Sequence, residues 1–367
     1  MNKIVISGYY GFNNIGDESI LTAIISNLKD NIDDIDITVL SKNPELTYNK
    51  HNVNAIDRKN IFQIIKEIRK CDILISGGGS LLQDVTSARN VIYYLSIMII
   101  GILFRKKVMI YSQGIGPINR PINRYLTKIV LNKVDVITLR DHKSEKILRE
   151  INIKNKNINV TADPVIGLKK RDTKLGREML VKSGMKDTNK PIIGFAIRGR
   201  DRDQNLIDVM SSVSDKIIDE MGVNVVFIPF HYGEDMKVLS EIEQNMKNKA
   251  IFLKGKYDIN EMLSIIGNLD LLIGIRLHSL IFGAVMNIPM IAVSYDPKIN
   301  NFMEYLDEDV FCNVSELDED SLVSEIRDKI SHEEEYKRKL YDKVEYLKER
   351  LHQNEEIISK LLKKSKK

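Results

Sequence analysis

The feature that most constrains this fold is an alternation of short apolar runs with helical stretches, repeated twice along 367 residues. In the first pass the runs are Ile4–Ser7, Ile35–Leu40, Asp72–Ser76, Lys107–Ser112, Asp135–Leu139 and Ile158–Thr161. In the second they are Ile192–Ile197, Val223–Pro229, Ala250–Leu253, Leu269–Gly274 and Pro289–Val293. Between them lie segments with apolar residues at helical spacing, among them Ser19–Leu28, Ile61–Lys70 and Ala88–Phe104. Such alternation predicts parallel sheets flanked by helices. The length makes two domains the natural expectation, and the polar stretch Lys169–Lys190 reads as the linker. The expected organisation is α/β: two Rossmann-like domains facing a cleft, spanning 1–170 and 171–315, then a charged helical segment and basic tail over 316–367.

Composition removes several function classes. A net charge of +4 comes from lysines scattered through the chain, so nucleic acid is not an expected partner. Cys71 and Cys312 stand far apart in no motif, which excludes a disulfide framework and a cysteine zinc site and fits a reducing compartment. The start, MNKIVISGYYG, lacks the pattern of a signal peptide, so the expected location is cytoplasmic. The most apolar run, Val91–Phe104, is short for a membrane span and reads as a buried helix. With its flank Arg105-Lys106-Lys107 it also offers a peripheral route to the inner membrane face. There is no HExxH, no Gly-x-Ser-x-Gly elbow and no Walker lysine, and neither a metal nor a cofactor is expected.

The chemistry-bearing residues cluster where strands end. In open parallel sheets, ligands bind just beyond the carboxyl ends of the strands. After the first strand comes Gly8–Glu18, a Gly/Asn-rich loop opening a helix, in the phosphate-loop position but without the dinucleotide glycine spacing. Gly11, Asn14 and Asp17 are its candidate binding residues, with Asp17 expected near the helix N-cap. Gly78 and Gly79, in Ser76–Ser80, would let backbone approach a ligand, and Arg140 sets a cation at a third strand end. In the second half, Arg198 ends one strand, Arg276-Leu277-His278-Ser279 another, and Lys298 follows a third. Arg276 and His278 alternate, so in an extended segment they would share a face. Cations gathered at one edge repel one another unless an anion sits there. Histidine ordinarily titrates near pH ~6.5, which makes His278 the candidate general acid or base.

These blocks, taken in order, resemble the polysaccharide pyruvyl transferase family. The resemblance rests on GYYGFNNIGDE (Gly8–Glu18), ISGGGSLLQD (Ile75–Asp84), SQGIGP (Ser112–Pro117), LRD (Leu139–Asp141), RLHS (Arg276–Ser279) and SYDPK (Ser294–Lys298). The chain is most similar to the branch that pyruvylates N-acetylmannosamine in bacterial secondary cell-wall polymers, the glycans used in S-layer anchoring. The resemblance implies a GT-B-like fold, phosphoenolpyruvate as co-substrate, and a sugar diol, on a glycan that can be lipid-linked, as acceptor. The product it implies is a 4,6-ketal, with phosphate released. It further implies a donor site containing Arg140, Arg276, His278 and Lys298, with the glycine loops on the acceptor side. One departure follows Arg198, where many relatives carry an aromatic residue and this chain has Gly199-Arg200-Asp201. The rival readings are a nucleotide-sugar glycosyltransferase, which shares the implied fold, and a glycan-binding protein without catalysis.

Overall fold

The computed structural model describes residues 1–12, 14–85, 87–198 and 203–365. The chain divides into two compact units, Met1–Leu168 with Leu347–Lys367, and Lys169–Tyr346.

The first unit begins with β1 (Asn2–Tyr10), α1 (Ile15–Asn31), β2 (Ile35–Ser41), α2 (Pro44–His51) and β3 (Asn54–Asp57). Next come α3 (Ile61–Lys70), β4 (Ile73–Ser76), β5 (Gly79–Leu82), α4 (Ala88–Leu103) and β6 (Lys107–Ile115). It continues with α5 (Pro121–Leu131), β7 (Val136–Leu139), α6 (His142–Glu150) and β8 (Ile158–Val160). All pairings are parallel, in the order β3-β2-β1-β4-β6-β7-β8, with β5 paired to β6. The order reverses between β1 and β4, whose registers run Ile4 to Ile73 and Ser7 to Ser76. Central strands are buried on both faces, which is why they read as unbroken apolar runs and not as alternations.

The second unit comprises α7 (Lys174–Lys182), β9 (Ile192–Ala196), α8 (Gln204–Met221), β10 (Asn224–Phe227), α9 (Tyr232–Asn245) and β11 (Ile251–Phe252). There follow α10 (Ile259–Ile266), β12 (Leu271–Gly274), α11 (Leu277–Met286), β13 (Met290–Ser294), α12 (Pro297–Tyr305) and β14 (Cys312–Asn313). The chain ends with α13 (Glu319–Ser331) and α14 (Glu333–Ser365). The sheet order is β11-β10-β9-β12-β13-β14, again parallel, and it reverses between β9 and β12. Its core stacks Phe195 on Phe227 and Phe227 on Phe252, and α8 and α13 close over it with Ile207, Met210, Leu322 and Ile326.

Two expectations change. The stretch 169–190 is not merely a linker: α7 packs on α10, where Gly176 N–H donates to Ser264 Oγ at 2.7 Å and Ser264 Oγ donates to Asp172 O at 2.6 Å. A Cβ on Gly176 would lie 2.2 Å from Ser264 O, so the glycine there is a packing requirement. The residues after 315 divide between the units, for α13 covers the second sheet while the end of α14 packs on the first.

That last contact is polar and buried. Asn354 Nδ2 donates to Ser112 Oγ at 3.0 Å and its Oδ1 accepts from Thr138 Oγ1 at 2.6 Å, while Tyr111 Oη donates to Glu355 Oε1 at 2.6 Å. Burial pushes the Glu355 carboxyl above its ordinary value of 4.5, and the Tyr111 hydrogen bond only partly opposes this. The unfolded chain therefore loses this proton at lower pH than the folded one. Stability contributed by the neutral carboxyl is full below about pH 4.5 and is lost as pH rises through the elevated folded value. Glu355→Gln is expected to raise the melting temperature at pH 7.5, by something on the order of 2–4 °C, with the difference closing toward pH 4. Thermal unfolding followed across pH checks this.

Candidate functional site

Both sheets present their chemistry at the carboxyl edge, with the Gly8–Glu18 loop, Arg198 and Arg276 at the points where strand order reverses and Arg140 and Lys298 after strands farther along. Each is described separately.

In the first unit, β1 leads into the loop that α1 follows. The N-cap of α1 is Asn14, whose Oδ1 accepts from Gly16 N at 3.0 Å. Asp17 lies in the first turn, where it accepts from Asn14 Nδ2 at 2.7 Å. The cap is thus Asn14, and the two expected binding residues hold each other. Gly11 has φ +80°, and a Cβ there would lie 2.3 Å from Ser41 Oγ. Its N–H donates to the buried Glu18 carboxylate at 2.7 Å. The loop's shape explains this glycine without a ligand. Gly78 is also a packing glycine, crowded by Ile20 and Pro164. Gly79 opens β5, and a Cβ there would lie 3.5 Å from Asp17 Oδ1, so its backbone borders that carboxylate directly.

Arg140, just past β7, is 8% exposed and lies among acceptors. Its Nη1 donates to Asp163 at 2.9 Å, its Nε is 3.5 Å from Asp141, and its Nη2 donates to Ser80 Oγ at 3.2 Å. The guanidinium is therefore held in a fixed orientation, its charge balanced by carboxylates. Only Gly114 fits beside it, since a Cβ there would lie 2.8 Å from Nε.

Motif reading alone missed an aromatic cluster at the same loop. Tyr9 and Phe12 stack with centroids 3.9 Å apart and planes 3° apart, and Arg58 sits 5.2 Å from the Phe12 ring and 4.4 Å from that of Tyr93. Tyr9 is 38% exposed. Burial and the nearby Asp17 carboxylate raise the Tyr9 phenol above its ordinary pKa. A flat, partly exposed aromatic pair beside a carboxylate is a surface on which the C–H face of a sugar ring can stack. The signal was available in the spacing of Tyr9 and Phe12, but Arg58 is distant in sequence.

In the second unit, Arg198 follows β9 and Arg276 follows β12, the two strands flanking the reversal. The Arg198 guanidinium lies 4.1 Å from the centre of the Tyr295 ring. Burial raises the Tyr295 phenol, with Arg198 and Arg276 pulling the other way and Asp296 reinforcing the rise. Those couplings place Tyr295, Arg198 and Arg276 together. Arg276 pairs with Asp235, which is 0% exposed and also accepts from Phe230 N–H at 3.0 Å and His231 N–H at 2.7 Å. Glu234 adds a second carboxylate 3.6 Å from Arg276 Nη2. Asp235 was visible in the sequence as part of HYGED, but nothing local marks it as the partner of a residue 41 positions away.

The Arg-x-His segment is helical where an extended one was expected. Arg276 is the N-cap of α11, without a side-chain capping bond, and His278 lies in the first turn. The two residues therefore do not share a strand face; both sit at a helix start. Lys298 is placed likewise, in the first turn of α12, where Asp296 caps its N–H at 3.0 Å and lies 3.8 Å from its Nζ. Cations at helix N-termini oppose the helix dipole, and both effects favour an anion there. The Nε atoms of Arg198 and Arg276 are buried without a hydrogen-bond partner among the described residues. Such atoms cost about 1–3 kcal/mol each unless a ligand or local shift satisfies them. Gly199, Arg200 and Asp201, where the sequence departs from the pattern, lie outside the described residues. Among the described residues no group of three His, Cys, Asp or Glu side chains is arranged to hold a metal.

The model of the polysaccharide pyruvyl transferase family matches residues 14–297. No protein of curated function matches the sequence. Several solved structures share the fold. HepE from Anabaena, in complex with UDP-glucose, superposes with a TM-score of 0.65 at 11% identity, over 98% of this chain and 100% of that one. The UDP-GlcNAc 2-epimerase from Neisseria meningitidis, bound to UDP-GlcNAc, gives 0.67 at 12% identity over 99% and 100%. A glycosyltransferase from Rickettsia africae gives 0.65 at 15% identity, covering 99% of each chain. These likenesses establish a fold of the GT-B type.

Proposed function

Since the chain belongs to the polysaccharide pyruvyl transferase family, we propose that it moves pyruvate from phosphoenolpyruvate onto a sugar diol, forming a cyclic ketal and releasing phosphate. The observation that carries this reading is the pair of arginines at the second sheet's reversal, each with a buried donor that no described acceptor meets. Phosphoenolpyruvate carries a carboxylate and a phosphate, and guanidinium can grip either with two parallel bonds. Arg276 and Lys298 are assigned to these groups, with Arg198 beside them.

The reaction balances without an oxidant. A proton adds to the methylene carbon of phosphoenolpyruvate while the first sugar hydroxyl, losing its own proton, bonds to C2. The second hydroxyl then bonds to C2 as the C2–O bond to phosphate breaks; inorganic phosphate leaves with the electron pair and takes up the proton that this hydroxyl loses. Positive charge develops at C2 in both steps. Cations on the phosphate stabilise its departure, and His278 supplies the proton to the methylene carbon. The acceptor lies against Tyr9, Phe12 and Asp17, and the glycine loop beside them shapes that platform. We take the acceptor to be N-acetylmannosamine of a cell-wall glycan carried on a lipid, pyruvylated at O4 and O6 on the cytoplasmic side of the membrane.

Incubation with phosphoenolpyruvate and a lipid-linked N-acetylmannosamine glycan tests this. Mass spectrometry should show the glycan gaining one pyruvate less one water, and unmodified glycan at full enzyme loading would refute it. Phe12→Ala is expected to raise KM for the glycan about fivefold, with KM for phosphoenolpyruvate unchanged, because a lost stacking contact is worth roughly 1 kcal/mol. Steady-state kinetics with each substrate varied in turn checks that.

A further inference from the structure

Helices α4 and α5 pack side by side in the first unit. Their outward stripes are apolar. On α4, Ile92, Ile99 and Leu103 are 46%, 39% and 73% exposed, and Phe104 follows at 38%. On α5, Ile122, Tyr125 and Ile129 are 58%, 61% and 39% exposed, at spacings of three and four. Isolated exposed apolar side chains are ordinary, but these are seven of the twenty large ones among the described residues, gathered on two neighbouring helices.

The stretch of chain that carries them is one-sided in charge. Residues 85–134 contain eight Lys and Arg and no Asp or Glu. A whole-chain charge of +4 therefore leaves −4 for everything else. Arg89, Arg105, Arg120 and Lys133 are exposed, and Arg124 and Lys128 are half-buried on α5 between the apolar positions. A second copy of this chain would set those cations against the same cations, which disfavours self-association through the face. No helix of the described residues is long and apolar enough to cross a membrane. Apolar stripes with basic flanks, on neighbouring helices about 24 Å and about 16 Å long, match the interface of an anionic bilayer.

We propose that the α4–α5 face docks the protein on anionic lipid, with Leu103, Tyr125 and the isoleucines entering the headgroup boundary and the Arg and Lys side chains meeting lipid phosphates. The proposal stands apart from the pyruvyl-transfer reading, because its readout needs no substrate and no turnover.

The test is flotation of the full-length protein with phosphatidylcholine vesicles, with and without phosphatidylglycerol. Binding is expected only with phosphatidylglycerol and is expected to weaken in high salt. Leu103→Glu with Tyr125→Glu, and separately Lys128→Glu with Lys133→Glu, should each lower the bound fraction at least about tenfold while circular dichroism stays unchanged. Failure of the wild type to float with anionic vesicles would overturn the proposal, as would undiminished binding by both double variants. A dimer in light scattering that Leu103→Glu with Tyr125→Glu abolishes would give the face to a second copy and overturn it equally.

Discussion

His278→Ala is expected to lower kcat for ketal formation roughly 10²–10⁴-fold, the usual contribution of a positioned proton donor or acceptor. The fold should survive, because His278 is half-buried in the first turn of α11 while the helix is held by Leu280, Ile281 and Phe282 in the core. Binding of phosphoenolpyruvate, measured by calorimetry, should change little. Loss of kcat with retained donor affinity separates proton transfer from binding. His278→Gln offers a hydrogen-bonding control: it can orient a group but not exchange the proton, so it should be nearly as slow as alanine. Wild-type turnover in His278→Ala would remove this residue from the mechanism.

The largest effect on stability is expected at Asp235. Replacing it with alanine strips the carboxylate from Arg276 and leaves the Phe230 and His231 N–H groups without their acceptor. Breaking a buried ion pair from one side costs about 3–5 kcal/mol, because the partner charge remains desolvated. Urea unfolding should show that loss in the midpoint. Asp235→Asn keeps one oxygen for the backbone donors and should cost less. It should still impair catalysis, since Arg276 is then left with only the more exposed Glu234 carboxylate. The same pairing makes Arg276→Ala an ambiguous probe, for it strands Asp235 at 0% exposure. Arg276→Lys is the cleaner variant. It retains a cation but loses the planar two-donor grip, so KM for phosphoenolpyruvate should rise with a smaller loss of stability. If Asp235→Ala unfolds at the wild-type urea concentration, Asp235 does not hold Arg276 in the way described.

Most central strands were legible as apolar runs because parallel strands covered on both faces need to be apolar throughout. Those that escaped have physical reasons. β3 is a four-residue edge strand, Asn54–Asp57, half-exposed and carrying Asn and Asp. β5, Gly79–Leu82, begins with a glycine of positive φ and reads as a loop. α7 hid in a polar stretch because only Gly176 and Leu180 are buried, too sparse a pattern to register as periodic. The start of α11 is not legible because Arg276 caps it without a side-chain bond, and ordinary capping residues announce a helix while arginine does not. At the site, the cations were visible as strand-end residues, but their partners were not. Asp163 for Arg140, Asp235 for Arg276 and the Tyr295 ring for Arg198 are all set by tertiary packing across distant elements.

The most direct test of the central claim is phosphorus NMR of the enzyme with phosphoenolpyruvate, run with and without an N-acetylmannosamine-containing acceptor. Pyruvyl transfer predicts that the phosphoenolpyruvate resonance is replaced by inorganic phosphate only when acceptor is present, in a one-to-one ratio with ketal. A phosphoenolpyruvate signal that persists with acceptor, while a supplied nucleotide sugar is consumed, would contradict it.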